Sequence, residues 1–261
     1  MPAQGTPGSP PPTVKRRRRW LLNRSASAGA ESVVPAEPGL SCPLLAAIQR
    51  LMQDNAPVTW VFTGDSITHG ALYTEGQRSY SEHFAERVRW EMRRFHDVVI
   101  NTGVCNERSE GLLGSLENRI LRFRPEVAFI LIGMNDCIAG LRGREQFRKN
   151  LTAIVEGLRE NAILPVLQTP NLIYTPNASS RTDLPAYIQI IREVAVQMET
   201  ALVDHWNDWC QSRPEVGAIL PWLQDESIHP NGIGHRVMAH SICRALGVFD
   251  PHSLTCSLAT S

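Results

Sequence analysis

The 261-residue sequence contains no Cys-x-x-Cys pair; its six cysteines, Cys42, Cys105, Cys137, Cys210, Cys243 and Cys256, are scattered. That spacing excludes the usual structural zinc and dithiol redox motifs and leaves thiols most of which read as buried side chains. Only proximity in the fold could pair any of them, Cys105 with Cys137 for instance. No apolar run approaches the ~20 residues that a membrane helix needs, so no membrane span is expected. Net charge is absent too, because 26 Lys and Arg balance 26 Asp and Glu. This removes the electrostatic case for a nucleic-acid or polyanion partner. A G-x-S-x-G elbow is missing, which argues against the larger α/β-hydrolase fold. There is no internal repeat and no sign of a second folded domain.

The charge that is present is unevenly placed. Lys15-Arg16-Arg17-Arg18-Arg19 lies in a Pro-, Gly-, Ser- and Ala-rich segment, residues 1–40. Such a composition buries too little apolar surface to offset its ordering entropy, so a disordered tail is expected. The basic run resembles an export signal only superficially, because Asn23-Arg24-Ser25 interrupts the apolar stretch after Trp20-Leu21-Leu22. A cytoplasmic protein with a solvated tail is favoured over one with an Arg- and Ser-rich transit peptide. With 43% hydrophobic residues the remainder can pack one large domain. We assign it to residues 41–250, followed by a C-terminal tail at 251–261. No feature specifies an oligomeric state.

Periodicity supplies the elements. Leu44, Leu45, Ile48 and Leu51 recur at helical spacing, with Ser41 as the expected cap. Residues 58–64 form a β-branched and aromatic run, the first strand. Helix is expected at 79–96, strand at 98–103 and helix at 110–123. Residues 127–133 are continuously apolar, the mark of a central strand covered on both faces. Helix follows at 144–161, strand at 163–169, helix at 184–197, strand at 200–204 and a last helix at 232–246. Strands alternating with helices predict an α/β fold: a three-layer α/β/α sandwich on a parallel sheet of about five strands.

Polar motifs recur where these strands stop. The first ends in Gly64-Asp65-Ser66, the second in Asn101-Thr102-Gly103, the third in Gly133-Met134-Asn135-Asp136. In a parallel sheet all three share one edge, where α/β proteins bind ligands. A serine there is a nucleophile or a helix cap, and capping is the commoner use of a lone serine. Near the C-terminus, Asp225-Glu226-Ser227-Ile228-His229-Pro230-Asn231 adds an imidazole and two acids. Together these are the parts of acyl transfer. A serine needs a base, the imidazole needs an acid, and the tetrahedral intermediate needs amide donors. Ser66 N–H, Gly103 N–H and the Asn135 amide are candidate donors. Asp65 reads as a turn-former that accepts backbone hydrogen bonds. His69 and Met134 are candidates for lining the pocket, and Asn171, Tyr174 and Trp222 lie on further candidate segments for facing it.

In their order and placement these four blocks resemble those of the SGNH hydrolases, also called GDSL esterases and lipases, from about residue 58 to 246. The resemblance implies a flavodoxin-like fold and ester hydrolysis through an acyl-enzyme without metal or cofactor. It makes Ser66 the nucleophile, His229 the base, and Ser66, Gly103 and Asn135 the oxyanion hole. The family's acid stands three residues before the histidine. By that register Glu226 inherits the role, with Asp225 as the alternative if the loop bulges by one residue. The expected substrate is a small, acetyl-like ester of an alcohol or carbohydrate. O-acyl transfer, lysophospholipid hydrolysis and thioester hydrolysis would use the same residues. A phosphate- or nucleotide-binding flavodoxin-like domain is the reading from another class. It needs neither His229 nor Asn135, and the turn lacks a Walker-type lysine.

Overall fold

Each strand of the sheet is short and apolar: β1 (Thr59–Gly64), β2 (Val98–Asn101), β3 (Val127–Leu131), β4 (Leu164–Gln168) and β5 (Ala201–Val203). They come from a computed structural model that describes residues 43–215 and 217–260. The tail expected at 1–40 and the Ser41 cap lie outside these. All neighbouring strands are parallel, in the order β2-β1-β3-β4-β5. β3 is buried at every position and β1 at all but its first, as two-sided coverage requires, whereas β2 at the edge is partly exposed. Phe62 of β1 and Phe129 of β3 stack at 4.3 Å and are fully buried. Burial of each such ring stabilises the sheet by about 1.5–3 kcal/mol.

Helices cover both faces. α1 (Pro43–Gln53) precedes the sheet, and α2 (Ser66–His69) is a single turn after β1. α3 (Tyr80–Ala85) starts where the Glu82 carboxylate reaches back to the Ser79 N–H at 2.7 Å. It continues into a π-helical turn, Glu86–Glu91. The helix expected at 110–123 is broken into α4 (Ser109–Gly114), α5 (Leu116–Arg119) and a 3-10 turn, Leu121–Phe123. The break falls where Gly114 weakens the helix and the Ser115 hydroxyl bonds back to the Gly111 carbonyl at 2.7 Å. α6 (Arg144–Glu160) buries Phe147, Leu151, Ile154, Val155 and Leu158 along one stripe and packs on α4 and on α7 (Leu184–Gln197). α3 packs on α9 (Gly232–Ala245), which also touches β5.

Two further segments depart from expectation. The Trp-rich stretch after β5 contains a helix, α8 (His205–Ser212), capped by Asp204. Residues 251–260 fold onto the body: Thr255 donates twice to Glu91 and accepts from His240, and the Thr260 carbonyl takes the Trp222 indole N–H. Among the described residues no helix is long and apolar enough to cross a membrane.

Candidate active site

Strand order reverses between β1 and β3, so a crevice opens beyond their carboxyl ends. The backbone there is shaped by close packing. A Cβ on Gly64 would sit 2.1 Å from the Leu131 carbonyl oxygen, so β1 and β3 meet this tightly only with glycine. Asp65 follows and caps α2 by accepting the Ile67 N–H at 2.9 Å, the turn-forming role its position suggested. Ser66 is therefore the first residue of a rigid turn, aimed over the sheet edge.

His229 arrives from the other end of the chain. Asn231 caps α9 through the Ile233 and Gly234 N–H groups, which anchors the histidine two residues upstream. Leu223 and Pro230 pair as an antiparallel bridge, and Gln224 N–H donates to the His229 carbonyl, closing the intervening loop. Ser66 Oγ lies 3.0 Å from His229 Nε2, and Asp225 Oδ2 lies 2.6 Å from His229 Nδ1.

The acid partner of the ring is thus Asp225, and the expectation for Glu226 is corrected. Glu226 adopts a left-handed φ of 50°, and its backbone carbonyl is held by Asn177. The turn makes the extra residue fit. Asp225 Oδ1 gathers the N–H groups of Ser227, Ile228 and His229, leaving Oδ2 for the imidazole. Burial alone would raise the Asp225 pKa, but these bonds and the one from His229 bring it down to about 2. Burial lowers the His229 pKa, against the opposing pull of Asp225, and the Arg181 cation lowers it further. The ring is neutral near pH 7, with Nδ1–H donated to Asp225 and Nε2 free to accept from Ser66.

The amide donors divide. Ser66 N–H and one hydrogen of Asn135 Nδ2 have no protein partner among the described residues; the other Nδ2 hydrogen goes to the Glu107 carbonyl at 3.0 Å. Gly103 is a correction, because its N–H donates to Asn101 Oδ1 at 2.9 Å. Its lack of a side chain serves packing: a Cβ there would lie 2.3 Å from the His69 nitrogen. Asn106, further along the same loop, has a left-handed φ of 61°, and its N–H is without a partner among the described residues. The loop is pinned near it by Cys105 Sγ against His69 Nδ1 at 3.7 Å and by the Asn135–Glu107 bond.

The remaining candidates are dispersed. The Met134 side chain is buried in the core, and its carbonyl accepts from Arg181 and from the Cys137 thiol, so Cys105 and Cys137 have separate partners. His69 is exposed at the rim. Asn171 and Tyr174 brace the histidine loop through Ile228 and Ser227, while Trp222 packs on Trp209. Besides Asn106, two residues of the site were missed from sequence. Tyr73 stacks on the His229 ring at 3.4 Å and 5°, and Arg181 donates to Asn135 Oδ1 at 3.2 Å. Both sit in loops without periodicity. Among the described residues no three His, Cys, Asp or Glu side chains converge as metal ligands.

Comparison with known proteins converges on this region. The GDSL-like Lipase/Acylhydrolase family matches residues 62–237. The chain is 28% identical over 189 residues to esterase TesA of Pseudomonas aeruginosa, covering 70% of this chain and 85% of that one. It is 23% identical over 193 residues to the uncharacterized lipoprotein YqeF of Bacillus subtilis, covering 65% and 79%. The crystal structure of Axe2, an acetylxylan esterase from Geobacillus stearothermophilus, shares the fold with a TM-score of 0.62 at 20% identity, over 73% of this chain and 94% of that one.

Proposed function

The chain belongs to the GDSL-like lipase/acylhydrolase family and is a carboxylic ester hydrolase; from that premise we propose that it works through a serine acyl-enzyme. The observation that carries this reading is the relay Ser66 Oγ–His229 Nε2–His229 Nδ1–Asp225 Oδ2, at 3.0 and 2.6 Å. Ser66 Oγ attacks the acyl carbonyl carbon while its proton passes to Nε2. Asp225 holds the ring in the required tautomer and stabilises the imidazolium. The developing oxyanion is taken by Ser66 N–H, the free Asn135 Nδ2 hydrogen and, in our assignment, Asn106 N–H. Loss of one such donor typically costs ~3–4 kcal/mol of transition-state stabilisation. Collapse breaks the ester C–O bond, and Nε2 returns the proton to the departing alcohol. Water then repeats the cycle on the acyl-enzyme, releasing the carboxylic acid.

We assign a small, acetyl-like ester of an alcohol or carbohydrate as substrate, a class supported by the acetylxylan esterase activity named for Axe2. One observation favours a second reading with longer acyl chains. Leu72, Val104, Ile138 and Leu141 are exposed on the segments that follow β1, β2 and β3, the last two on a 3-10 turn, Asp136–Gly143, at the edge that carries Ser66. A p-nitrophenyl ester series from acetyl to dodecanoyl, with acetylated xylo-oligosaccharides alongside, separates the two. The first reading expects kcat/KM to peak at acetyl; a peak at eight carbons or more replaces it with the second. Ser66→Ala and His229→Ala should each reduce turnover roughly 10⁴-fold or more. Turnover that survives Ser66→Ala would discard the acyl-enzyme.

A further inference from the structure

Arg181 sits on a 3-10 turn, Ser179–Arg181, between the loop that braces the histidine and the start of α7. Each guanidinium nitrogen has a neutral partner: Nε donates to the Met134 carbonyl at 3.3 Å, Nη1 to Ser180 Oγ at 3.2 Å and Nη2 to Asn135 Oδ1 at 3.2 Å. Among the described residues no carboxylate pairs with it. Its neighbour Asp183 is engaged by Arg144, which holds the turn in place.

These contacts determine which way the Asn135 amide faces. A guanidinium has donors only, so the amide must present its oxygen to Arg181. The Glu107 carbonyl accepts only, so it takes one Nδ2 hydrogen. With both sides occupied, the second Nδ2 hydrogen alone is left for the crevice. From this we infer that Arg181 is a positioning residue for the ester reaction, holding the Asn135 amide so that its donor edge faces the developing oxyanion. The assignment rests on the acyl-enzyme reading above, in which Asn135 is an oxyanion donor. Without Arg181 the amide is clamped on one side only. An oxyanion donor that is present but loosely held stabilises the transition state less, while ground-state binding changes little.

The test is a double-mutant cycle on the full chain, reading kcat and KM separately with p-nitrophenyl acetate. Arg181→Met keeps the aliphatic bulk and removes all donors. It should lower kcat about 10- to 100-fold, the range for an impaired oxyanion donor, with KM within about threefold. Arg181→Lys, whose compact ammonium keeps the charge but lacks the fork that spans these separate acceptors, should fall between Arg181→Met and the parent. Asn135→Ala should remove the dependence: adding Arg181→Met to it should lower kcat no further. A kcat for Arg181→Met within about twofold of the parent, or losses that multiply in the double variant, would overturn the assignment. Thermal unfolding tells a kinetic effect from a folded-state defect. If Arg181→Met does not fold, the same cycle with Arg181→Lys decides. Ser66→Ala in the same assay separates the two levels of inference. If Ser66→Ala is active, the acyl-enzyme reading falls; if it is inactive while Arg181→Met is normal, only the role of Arg181 falls.

Discussion

The two halves of the relay are built in different ways. Ser66 stands on a turn that the sheet itself imposes: Gly64 and Gly103 allow main chains to touch, and Asp65 closes the helix cap. His229 and Asp225 stand on a surface loop held by a fan of backbone N–H bonds to one carboxylate and by a single antiparallel bridge. Packing holds the first half, and hydrogen bonds hold the second. Perturbing the first should therefore act through stability as well as rate, and perturbing the second chiefly through rate.

The sharpest separation is expected at the acid. Asp225→Asn should lower kcat roughly 10³- to 10⁴-fold, because an amide in place of the carboxylate favours the wrong imidazole tautomer. Glu226→Gln should stay within about twofold of the parent, and the reverse ranking would reinstate Glu226. On the serine side, Gly103→Ala should cost about 1–3 kcal/mol of stability, since the new methyl must displace the His69 backbone beside it. Urea unfolding measures this. An unchanged midpoint would show that the turn is softer than its packing implies.

A smaller effect is expected at Tyr73, which supports the imidazole face. Tyr73→Phe should retain most activity because stacking needs only the ring, whereas Tyr73→Ala should lower kcat/KM about tenfold. Equal losses in both would instead point to the hydroxyl.

The mildest perturbation is pH. The acid limb of kcat/KM should fall below 6.5, since burial lowers the His229 pKa. Stability should follow a different set of groups. Burial holds His205 and His235 at about 3 and His83 at about 4. Unfolded histidines bind protons from about 6.5 downward while the folded ones do not, so their contribution is complete above 6.5 and declines as pH falls toward 3. Asp65, raised by burial to about 7, and Asp136, also raised by burial, work in the opposite sense over part of this range, two carboxyls against four histidines once the lowered His229 is included. A urea midpoint lower at pH 5 than at pH 7 is expected; no change would mean that these histidines are solvated.

Much of the fold was legible because it depends on local pattern. The continuous apolar run around Phe129 marked a strand covered on both faces, and the 3.6-residue stripe of α7 marked its helix at the observed ends. Where pattern and conformation parted, a specific bond intervened. Ser115 bonded back to Gly111 and divided one expected helix, and Asp204 capped a helix that tryptophan content had obscured. The same division runs through the site. Asp65 was readable as a turn-former because its bond is two residues long, whereas Gly103 was misjudged because its N–H is taken by a side chain from its own strand.

What sequence alone determined is the gathering of Ser66, Asn135 and the second loop on one sheet edge, since parallel strands with apolar periodicity must end on the same side. Tertiary structure decided which atoms on that edge face one another. Asp225 rather than Glu226 meets the imidazole because one left-handed residue reverses the direction of the loop. Asn135 presents a donor because Arg181, 46 residues away, occupies its oxygen. Side-chain aim depends on φ angles and long-range bonds that have no periodicity, and only the folded chain brings those partners together.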